Sequence, residues 1–387
     1  MTMLNTLQAA RAPMAAFAAM GVLWGAFAAV LPDVMVMLGV EETRLGLVML
    51  FTPIAAVCAM LIAPRFGAGF GRAALPLAAL AMALVFALPG QASTLWIFPL
   101  AMMCCGAATG LTDVLMNARV ADLENTRGQH LMNLCHAAYS FGYAGGAIAT
   151  GAMRSAGWSP AWVLGSTAGV ALVLAVLTVE RHGEIRGLGR PKDGTARHLG
   201  WIPLIGGGIV LVAFLTENAA ENWSALHIEK TLGGSPAQGA FGPAALALTM
   251  GFARLVGQGF ASRVDPFRLL GGGAVIAAIG ALIAASAVSP AMAYAGFVIM
   301  GVGSSVIAPT AFSLVGRLAD PAARARAVAR ATLWGYFGYF FGPPMLGFIA
   351  GSFGLRMAFV FAAGMLGLVL AMLPLLARQQ HADRGVA

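Results

Sequence analysis

The chain has 387 residues, of which 59% are hydrophobic and only 10% are charged. Soluble globular domains have about 25% charged residues, so this composition excludes an ordinary soluble protein. The formal net charge of +8 does not indicate nucleic-acid binding, because the basic residues are concentrated in short polar segments between long apolar runs.

Twelve apolar runs follow one another along the chain, and each is long enough to cross the hydrocarbon core of a bilayer as a helix. The first six spans are predicted at 12–37, 44–64, 73–92, 94–118, 131–153 and 160–179. The second six are predicted at 200–223, 236–262, 267–288, 290–315, 327–350 and 356–377. The sequence therefore predicts an all-α membrane protein with twelve transmembrane helices.

The longest polar segment divides these spans into two groups of six. The predicted domains are an N-terminal six-helix bundle at 1–180, a cytoplasmic linker at 181–199 and a C-terminal six-helix bundle at 200–387. A glycine and tyrosine pattern recurs after about half the chain: Gly142, Tyr143, Gly146 and Gly151 match Gly338, Tyr339, Gly342 and Gly347. Two repeats of one hydrophobic unit are typical of transporters whose halves rock around a shared central site.

Arginine and lysine are distributed unevenly between the two sides of the predicted bundle. With the N-terminus inside, the outer side has only Arg44, Arg154, Lys230 and Arg356, whereas the inner ends and the linker carry the rest. The positive-inside rule then places both termini in the cytoplasm. We expect a multi-pass protein of the bacterial inner (plasma) membrane, surrounded by lipid and working as a monomer.

Few ionisable or amide side chains interrupt the apolar spans. An ionisable group inside a span costs about 3 kcal/mol on insertion scales unless it faces a cavity or a partner, so each is a candidate for function. The candidates are Asp33 in the first span, Asp113 and Asn117 in the fourth, Asn133 and His136 in the fifth, and Glu217 and Asn218 in the seventh. Trp24 and Trp334 also lie within spans and could provide a stacking wall for a solute.

Three of the ionisable candidates also have a structural interpretation. Asp33 could be an interfacial residue near the outer leaflet. Asp113 could form a salt bridge with Arg119 or Arg254, and His136 could be a hydrogen-bonded packing histidine.

Other polar and aromatic side chains have simpler explanations. Glu221 and Asn222 lie close enough to the outer end of the seventh span that hydration explains them. Arg254 can extend to the inner surface, and both tryptophans can pack against lipid or core.

Enzymatic motifs are absent from the sequence: it has no HExxH, no GxSxG, no P-loop and no dinucleotide-binding glycine pattern. The four cysteines lie in apolar spans without the spacing of metal ligands. We expect no enzyme activity and no cofactor or metal, and we expect transport to be driven by an ion gradient rather than by ATP.

Three short segments resemble the major facilitator superfamily and, within it, its fucose-permease-like branch. Trp24 is followed by Leu31, Pro32 and Asp33, Gly110 precedes Asp113 and Asn117 in the fourth span, and the fifth span reads MNLCH at residues 132–136. The resemblance implies proton coupling by the two aspartates and polar contacts to a sugar from the fifth span. The chain departs from that branch at Asp113, where the branch has glutamate, and at His136, where it has glutamine.

The leading hypothesis is a proton-coupled symporter of a small polar solute, a sugar or sugar-like metabolite, working by alternating access. Asp33 and Asp113 would carry the protons. The predicted solute-binding residues are Trp24, Asn117, Asn133, His136, Glu217, Asn218 and Trp334. Two alternatives remain open: a proton-antiport exporter of drugs or other amphipathic compounds, and a transporter-like sensor that transports nothing.

Overall fold

The computed structural model describes residues 3–128, 131–185, 200–261, 264–319 and 324–384. In these ranges all regular secondary structure is helical, and no strand is present. The predicted linker at 181–199 lies outside the described residues from residue 186 onward.

Thirteen α-helices are formed within the described ranges. The first seven are α1 (Met3–Leu38), α2 (Glu42–Met49), α3 (Phe51–Phe70), α4 (Ala74–Val85), α5 (Ile97–Arg127), α6 (Met132–Ser155) and α7 (Pro160–Val176). The others are α8 (Ile202–Leu226), α9 (Pro236–Ala261), α10 (Pro266–Ser286), α11 (Pro290–Leu318), α12 (Arg324–Phe353) and α13 (Leu355–Arg384). A π-helical turn, His227–Thr231, continues α8.

Helix ends follow local sequence signals. A proline occupies the first turn of α7, α10 and α11, where a backbone N–H has no acceptor within the helix, so the absence of this group costs no hydrogen bond. Asp265 caps α10 by accepting hydrogen bonds from the backbone N–H groups of Phe267 and Arg268, both at 3.1 Å. The predicted span at 44–64 is divided at Leu50 into α2 and α3, and Pro53 follows in the first turn of α3.

Eight helical stretches of the described chain are long and apolar enough to cross a membrane. One of them, Glu42–Gln91, contains α2, α3 and α4 together, and α7 is a shorter apolar helix. Neither α6 nor α12 is among the eight, because glycine and polar residues lower the mean hydropathy of both helices. The number of twelve spans therefore stays a prediction.

The helices of the two halves pack in the same pattern. In the first half α1 packs on α6 and α7, α3 on α5, and α4 on α5 and α7. In the second half α8 packs on α12 and α13, α9 on α11, and α10 on α11 and α13. If α2 and α3 are taken as one span, these are equivalent pairs. The two most extensive contacts between the halves, α6 with α9 and α2 with α12, are also an equivalent pair, so the bundle has an approximate two-fold symmetry.

Glycines bring α1 and α6 into backbone contact. A methyl group at Gly21 or Gly25 would overlap the backbone of Tyr139 or Tyr143. From the other side, a methyl group at Gly142 or Gly146 would overlap the backbone of α1. Small residues at GxxxG spacing therefore determine how closely these helices approach, as is typical of membrane helices.

The last glycine of each repeat lies between the halves instead. Gly151 packs against Ala237 and Ala240 of α9, and Gly347 packs against Glu42 and Gly46 of α2. These two equivalent glycines thus lie in the two symmetric contacts that hold the halves together.

The outer surface of the bundle is apolar. Large side chains such as Leu61, Trp162 and Val256 are exposed along the helices. A soluble protein does not present so extensive an apolar surface, whereas a bilayer matches it.

Candidate functional site

Asp113 lies midway along α5 and is half-buried. The side-chain amide of Asn117 donates to the Asp113 backbone carbonyl at 2.9 Å and to its Oδ1 at 3.1 Å. The hydroxyl of Tyr336 donates to Asp113 Oδ2 at 3.2 Å. Tyr336 belongs to α12, so this hydrogen bond joins the two halves of the molecule.

The salt bridges considered for Asp113 do not form. Arg119 pairs with Asp122 and Glu180, with N–O distances of 2.9 Å to each. Arg254 instead donates to the hydroxyl of Ser140 at 3.4 Å. Within the described part of the chain, the hydrogen-bonding partners of the Asp113 carboxyl are therefore neutral.

Two buried acceptors lie on α8, which packs on α12, the helix that carries Tyr336. Glu217 and Asn218 are each 5% exposed, and neither Glu217 Oε1 nor Asn218 Oδ1 has a hydrogen-bond partner among the described protein groups. A buried polar atom without a partner is costly, so such an atom requires an explanation. A solute that supplies hydrogen-bond donors would provide one.

Charged and phenolic groups of five helices surround these acceptors. Tyr139 of α6 lies within electrostatic reach of Glu217, Glu221, Arg254 and Asp113. Tyr339 of α12 lies within reach of Glu217 and Glu221. We call this group the central polar cluster; its members are Asp113, Asn117, His136, Tyr139, Glu217, Asn218, Glu221, Arg254, Tyr336 and Tyr339. It combines three carboxyl groups with one guanidinium group.

Three further predicted site residues, His136, Asn133 and Trp24, lie on α6 and α1. The His136 ring meets Phe17 edge-on, with ring centroids 4.9 Å apart, and Arg254 is within its electrostatic reach. Asn133 lies one turn nearer the start of α6 and is half-buried. Trp24 makes edge contacts with Phe27 and Phe86 at centroid distances of 5.7 and 5.0 Å.

Trp334 is not brought to the cluster. Its side chain is 43% exposed, stands beside Phe337 and covers Gly207 of α8. Positions two residues apart on a helix are about 200° apart, so Trp334 points away when Tyr336 points at Asp113. Its placement supports packing at the surface of the bundle rather than contact with a solute.

Asp33 lies at a different level of the bundle. We call the end of the bundle at which α1 begins its N-terminal end. There Arg11 donates a hydrogen bond to the backbone carbonyl of Val179 at 2.7 Å. Asp33, near the end of α1, lies at the opposite end and binds Arg154 with both carboxylate oxygens, at 2.7 and 2.6 Å. Asp33 is therefore ion-paired, which neither sequence interpretation of this residue included.

Arg154 also binds the second half of the molecule. Its guanidinium donates to both carboxylate oxygens of Glu229, at 2.6 and 2.9 Å, and its side chain is only 1% exposed. A second ion pair joins Lys230 Nζ to Glu42 Oε1 at 2.8 Å. We call Asp33, Glu42, Arg154, Glu229 and Lys230 the ion-pair clasp.

The clasp depends on the π-helical turn after α8. Glu229 and Lys230 both belong to this turn, which positions them toward the first half. π-helical turns are rare in proteins, and those that occur are often found at functional sites.

Sequence reasoning missed several of these residues. Arg154 was recognisable as one of four basic residues on the side predicted to lack them, but its partners are distant in the sequence. Tyr339 was recognisable as the repeat counterpart of Tyr143. No sequence signal identified Tyr336 or Glu229.

Three sequence assignments change. Asn222 is buried rather than hydrated, Glu221 is half-buried within the central polar cluster, and Arg254 points into the bundle toward Ser140. In the described ranges, no group of three or more His, Cys, Asp or Glu side chains is arranged to hold a metal ion.

Comparisons with known proteins agree on one family. Residues 205–386 match the family model of the Major Facilitator Superfamily. An uncharacterized MFS-type transporter of Yersinia pestis is 32% identical over 347 residues, which cover 89% of this chain and 89% of that protein.

Solved structures match the fold over the whole chain. A bacterial homologue of the human lysosomal transporter Spinster is 16% identical, with a TM-score of 0.74 and 99% of each chain covered. A D-xylose–proton symporter is 15% identical, with a TM-score of 0.71, and the match covers 96% of this chain and 97% of that one.

Proposed function

The chain belongs to the major facilitator superfamily of secondary transporters, and from this premise we propose that it is a proton-coupled symporter of a small polar solute. We further propose that the solute is a sugar or sugar-like metabolite. The observation that carries the proposal is the Tyr336–Asp113 hydrogen bond between the halves, beside the unpartnered acceptors of Glu217 and Asn218.

The central polar cluster is suited to a solute with several hydroxyl groups. Glu217 Oε1 and Asn218 Oδ1 are acceptors that need donors, whereas Arg254 can donate further hydrogen bonds. Tyrosine rings from α6 and α12 offer apolar faces on which a sugar ring can stack. Asn117, Asn133, His136 and Trp24 would complete the site, whereas Trp334 would not take part.

Asp113 is the proposed coupling residue. An ionised Asp113 accepts a hydrogen bond from the Tyr336 hydroxyl, whereas a protonated Asp113 can itself donate a hydrogen bond. Because this hydrogen bond joins the two halves, a proton that arrives or leaves alters a contact that must change when the halves move. Proton binding and alternating access would thereby be linked.

The ion-pair clasp would close one end of the central pathway. Arg154 and Asp33 belong to the first half and Glu229 to the second, so opening that end separates Arg154 from Glu229. Asp33 remains bound and keeps the buried guanidinium paired, which avoids a penalty of several kcal/mol for an unpaired buried charge. In this proposal Asp33 belongs to the ion-pair clasp that closes one end of the pathway and does not carry the coupled proton.

The test uses purified protein in liposomes containing a pH-sensitive dye, with no imposed gradient. Sugars and related metabolites are added one class at a time. We expect one class to acidify the interior, because a symporter carries protons inward with the solute. No acidification with any class would contradict the proposal.

One observation favours a second function, the export of cationic compounds by proton antiport. Three carboxyl groups share the central polar cluster with a single guanidinium, a balance that attracts a positive solute. In the same liposomes, cationic amphiphiles would then make the interior more alkaline, and sugars would have no effect.

A further inference from the structure

A cavity of about 700 Å³ lies at the N-terminal end of the bundle, away from the central polar cluster. It is formed by the end of α3, the turn before α4, the end of α5 and the segment that follows α7. Its lining contains four arginines, Arg72, Arg119, Arg127 and Arg181.

One of these arginines has a structural role. Arg119 binds Asp122 and Glu180 and also donates to the backbone carbonyls of His182 and Glu184, at 3.0 and 3.3 Å. It therefore attaches the segment after α7 to α5. Its charge is balanced by these carboxylates, so it is not available to a ligand.

The other three arginines are free to bind an anion. Arg72, Arg127 and Arg181 are exposed, and none forms an ion pair or side-chain hydrogen bond within the part of the chain that the structure describes. The lining contains two acidic residues, Asp122 and Glu184, and Asp122 is bound to Arg119. With the Glu184 carboxylate counted against the three free arginines, the cavity keeps a net positive charge, and the three arginines line the same space.

The cavity borders the lipid-facing surface of α3. Leu61 is 73% exposed, and Ile62 and Phe70 are each more than half exposed. Phe70 also lines the cavity. A helix rises 1.5 Å and turns about 100° per residue, so Ile62 and Phe70 lie about 12 Å apart on neighbouring faces of α3, and Phe70 adjoins the cavity.

We propose that this cavity binds the phosphate-bearing headgroup of an anionic phospholipid, with its acyl chains lying along α3. Arginine is well suited to phosphate oxygens because its planar group donates several hydrogen bonds. The predicted orientation places this end in the cytoplasmic leaflet, and basic pockets on that side of membrane proteins are known to hold anionic headgroups.

The test compares two variants with equal loss of charge. R72Q/R127Q/R181Q removes the free arginines of the cavity. R324Q/R330Q/R378Q removes three exposed arginines of α12 and α13, which lie outside the cavity. Each detergent-purified protein is titrated with phosphatidylglycerol, phosphatidylcholine and inorganic phosphate, and bound molecules are counted by native mass spectrometry.

We expect the unmodified protein and the control variant to retain phosphatidylglycerol in preference to phosphatidylcholine. The cavity variant should bind phosphatidylglycerol at least about ten-fold more weakly. Equal retention by all three proteins would overturn the proposal. Inorganic phosphate that binds as tightly as the lipid would also overturn it, because free phosphate would then be the ligand.

A single size-exclusion peak and an unchanged far-ultraviolet circular dichroism spectrum show that each variant is folded. If the triple variant does not fold, R127Q and R181Q are tested separately, and each should weaken phosphatidylglycerol binding alone. Unchanged binding in both single variants would equally overturn the proposal.

Discussion

Two aspartates that the sequence presents alike have different partners in the folded chain. Asp113 accepts hydrogen bonds from the neutral side chains of Asn117 and Tyr336. Asp33 binds the guanidinium of Arg154 with both oxygens. An arginine that forms two hydrogen bonds pairs with an ionised carboxylate, whereas neutral partners can bind a carboxyl group in its ionised or its protonated form. At the scale of single residues, Asp113 is therefore the better candidate for coupling.

Asp113→Asn should abolish concentrative uptake and preserve exchange of the solute between the two sides. Asparagine keeps the size of the side chain and can still accept from Tyr336, but it cannot carry a proton. The measurement compares gradient-driven accumulation with counterflow in proteoliposomes. Asp113→Glu, which retains a carboxyl group, should restore accumulation in part, and full accumulation by Asp113→Asn would exclude the coupling role.

Tyr336→Phe should remove the hydrogen bond that joins the two halves at the central polar cluster, without disturbing the side-chain packing. The ring contact with Phe214 can remain, while the hydrogen bond to Asp113 is lost at a cost of about 1 kcal/mol. We expect a lower ratio of protons to solute, measured from parallel pH and radiolabel uptake. Tyr294→Phe is the matched control, because that hydroxyl bonds Gln238 away from the cluster; an equal loss in both variants would argue against the assignment.

The two ion pairs of the clasp should differ in strength. Glu229→Gln removes a buried ion pair between the halves, because Arg154 is almost fully buried, whereas Lys230 is 45% exposed and its pair with Glu42 contributes about 0–1 kcal/mol. Spin labels at the exposed Glu41 and Ser235 would report the separation of the halves. We expect Glu229→Gln to lengthen the distance markedly and Glu42→Gln to lengthen it little; the reverse order would contradict the clasp as described.

Among the structural elements, the glycine-rich helices α6 and α12 determine how the halves meet. Their first repeated glycines pack inside each half, and their last ones, Gly151 and Gly347, pack across to the other half. The π-helical turn after α8 adds Glu229 and Lys230 to the same end of the bundle. Close backbone packing and ion pairs thus act together on one closed end.

Gly347→Val should prevent the two halves from closing at the end of the bundle that holds the ion-pair clasp. The added side chain would collide with the backbone of Glu42 and Gly46 on α2. We expect a longer distance between the labels at Glu41 and Ser235 and a large loss of transport. Gly364→Val is the control on α13, because nothing lies near that glycine, and transport by it should be unchanged; unchanged transport by Gly347→Val would show that closure does not need this contact.

On the scale of the whole molecule, the two halves repeat the same helix contacts and meet through symmetric pairs. In the proposed transport cycle, a central cluster built from both halves would change its exposure when one half rocks on the other. The basic cavity at the N-terminal end lies away from this cluster, beside exposed apolar side chains of α3.

Both termini should be on the cytoplasmic side, because basic residues crowd the ends predicted to face inward. A C-terminal fusion to green fluorescent protein should fluoresce, and a C-terminal fusion to alkaline phosphatase should be inactive. Active alkaline phosphatase would show that the C-terminus lies outside and would reverse the leaflet assigned to the basic cavity.

Helix positions were predictable from sequence because a bilayer imposes one requirement, about 20 apolar residues with internally satisfied backbone groups. That requirement is local, so each predicted span overlaps a helix, although the span at 44–64 is broken at Leu50 and the helix in the span at 73–92 ends at Val85. The repeat was also readable, because identical spacing of glycines reflects identical packing.

Only the tertiary structure decided which side chains meet. Arg154 and Glu229 are brought together from different halves, and a rotation of about 200° separates Trp334 from Tyr336 on one helix. Such contacts depend on helix rotation and on pairing between distant segments, which composition and local spacing do not determine. The sequence by itself therefore determined a two-fold bundle of membrane helices with a few intramembrane carboxyl groups, and the packing of its halves assigned one aspartate to the centre and the other to the clasp.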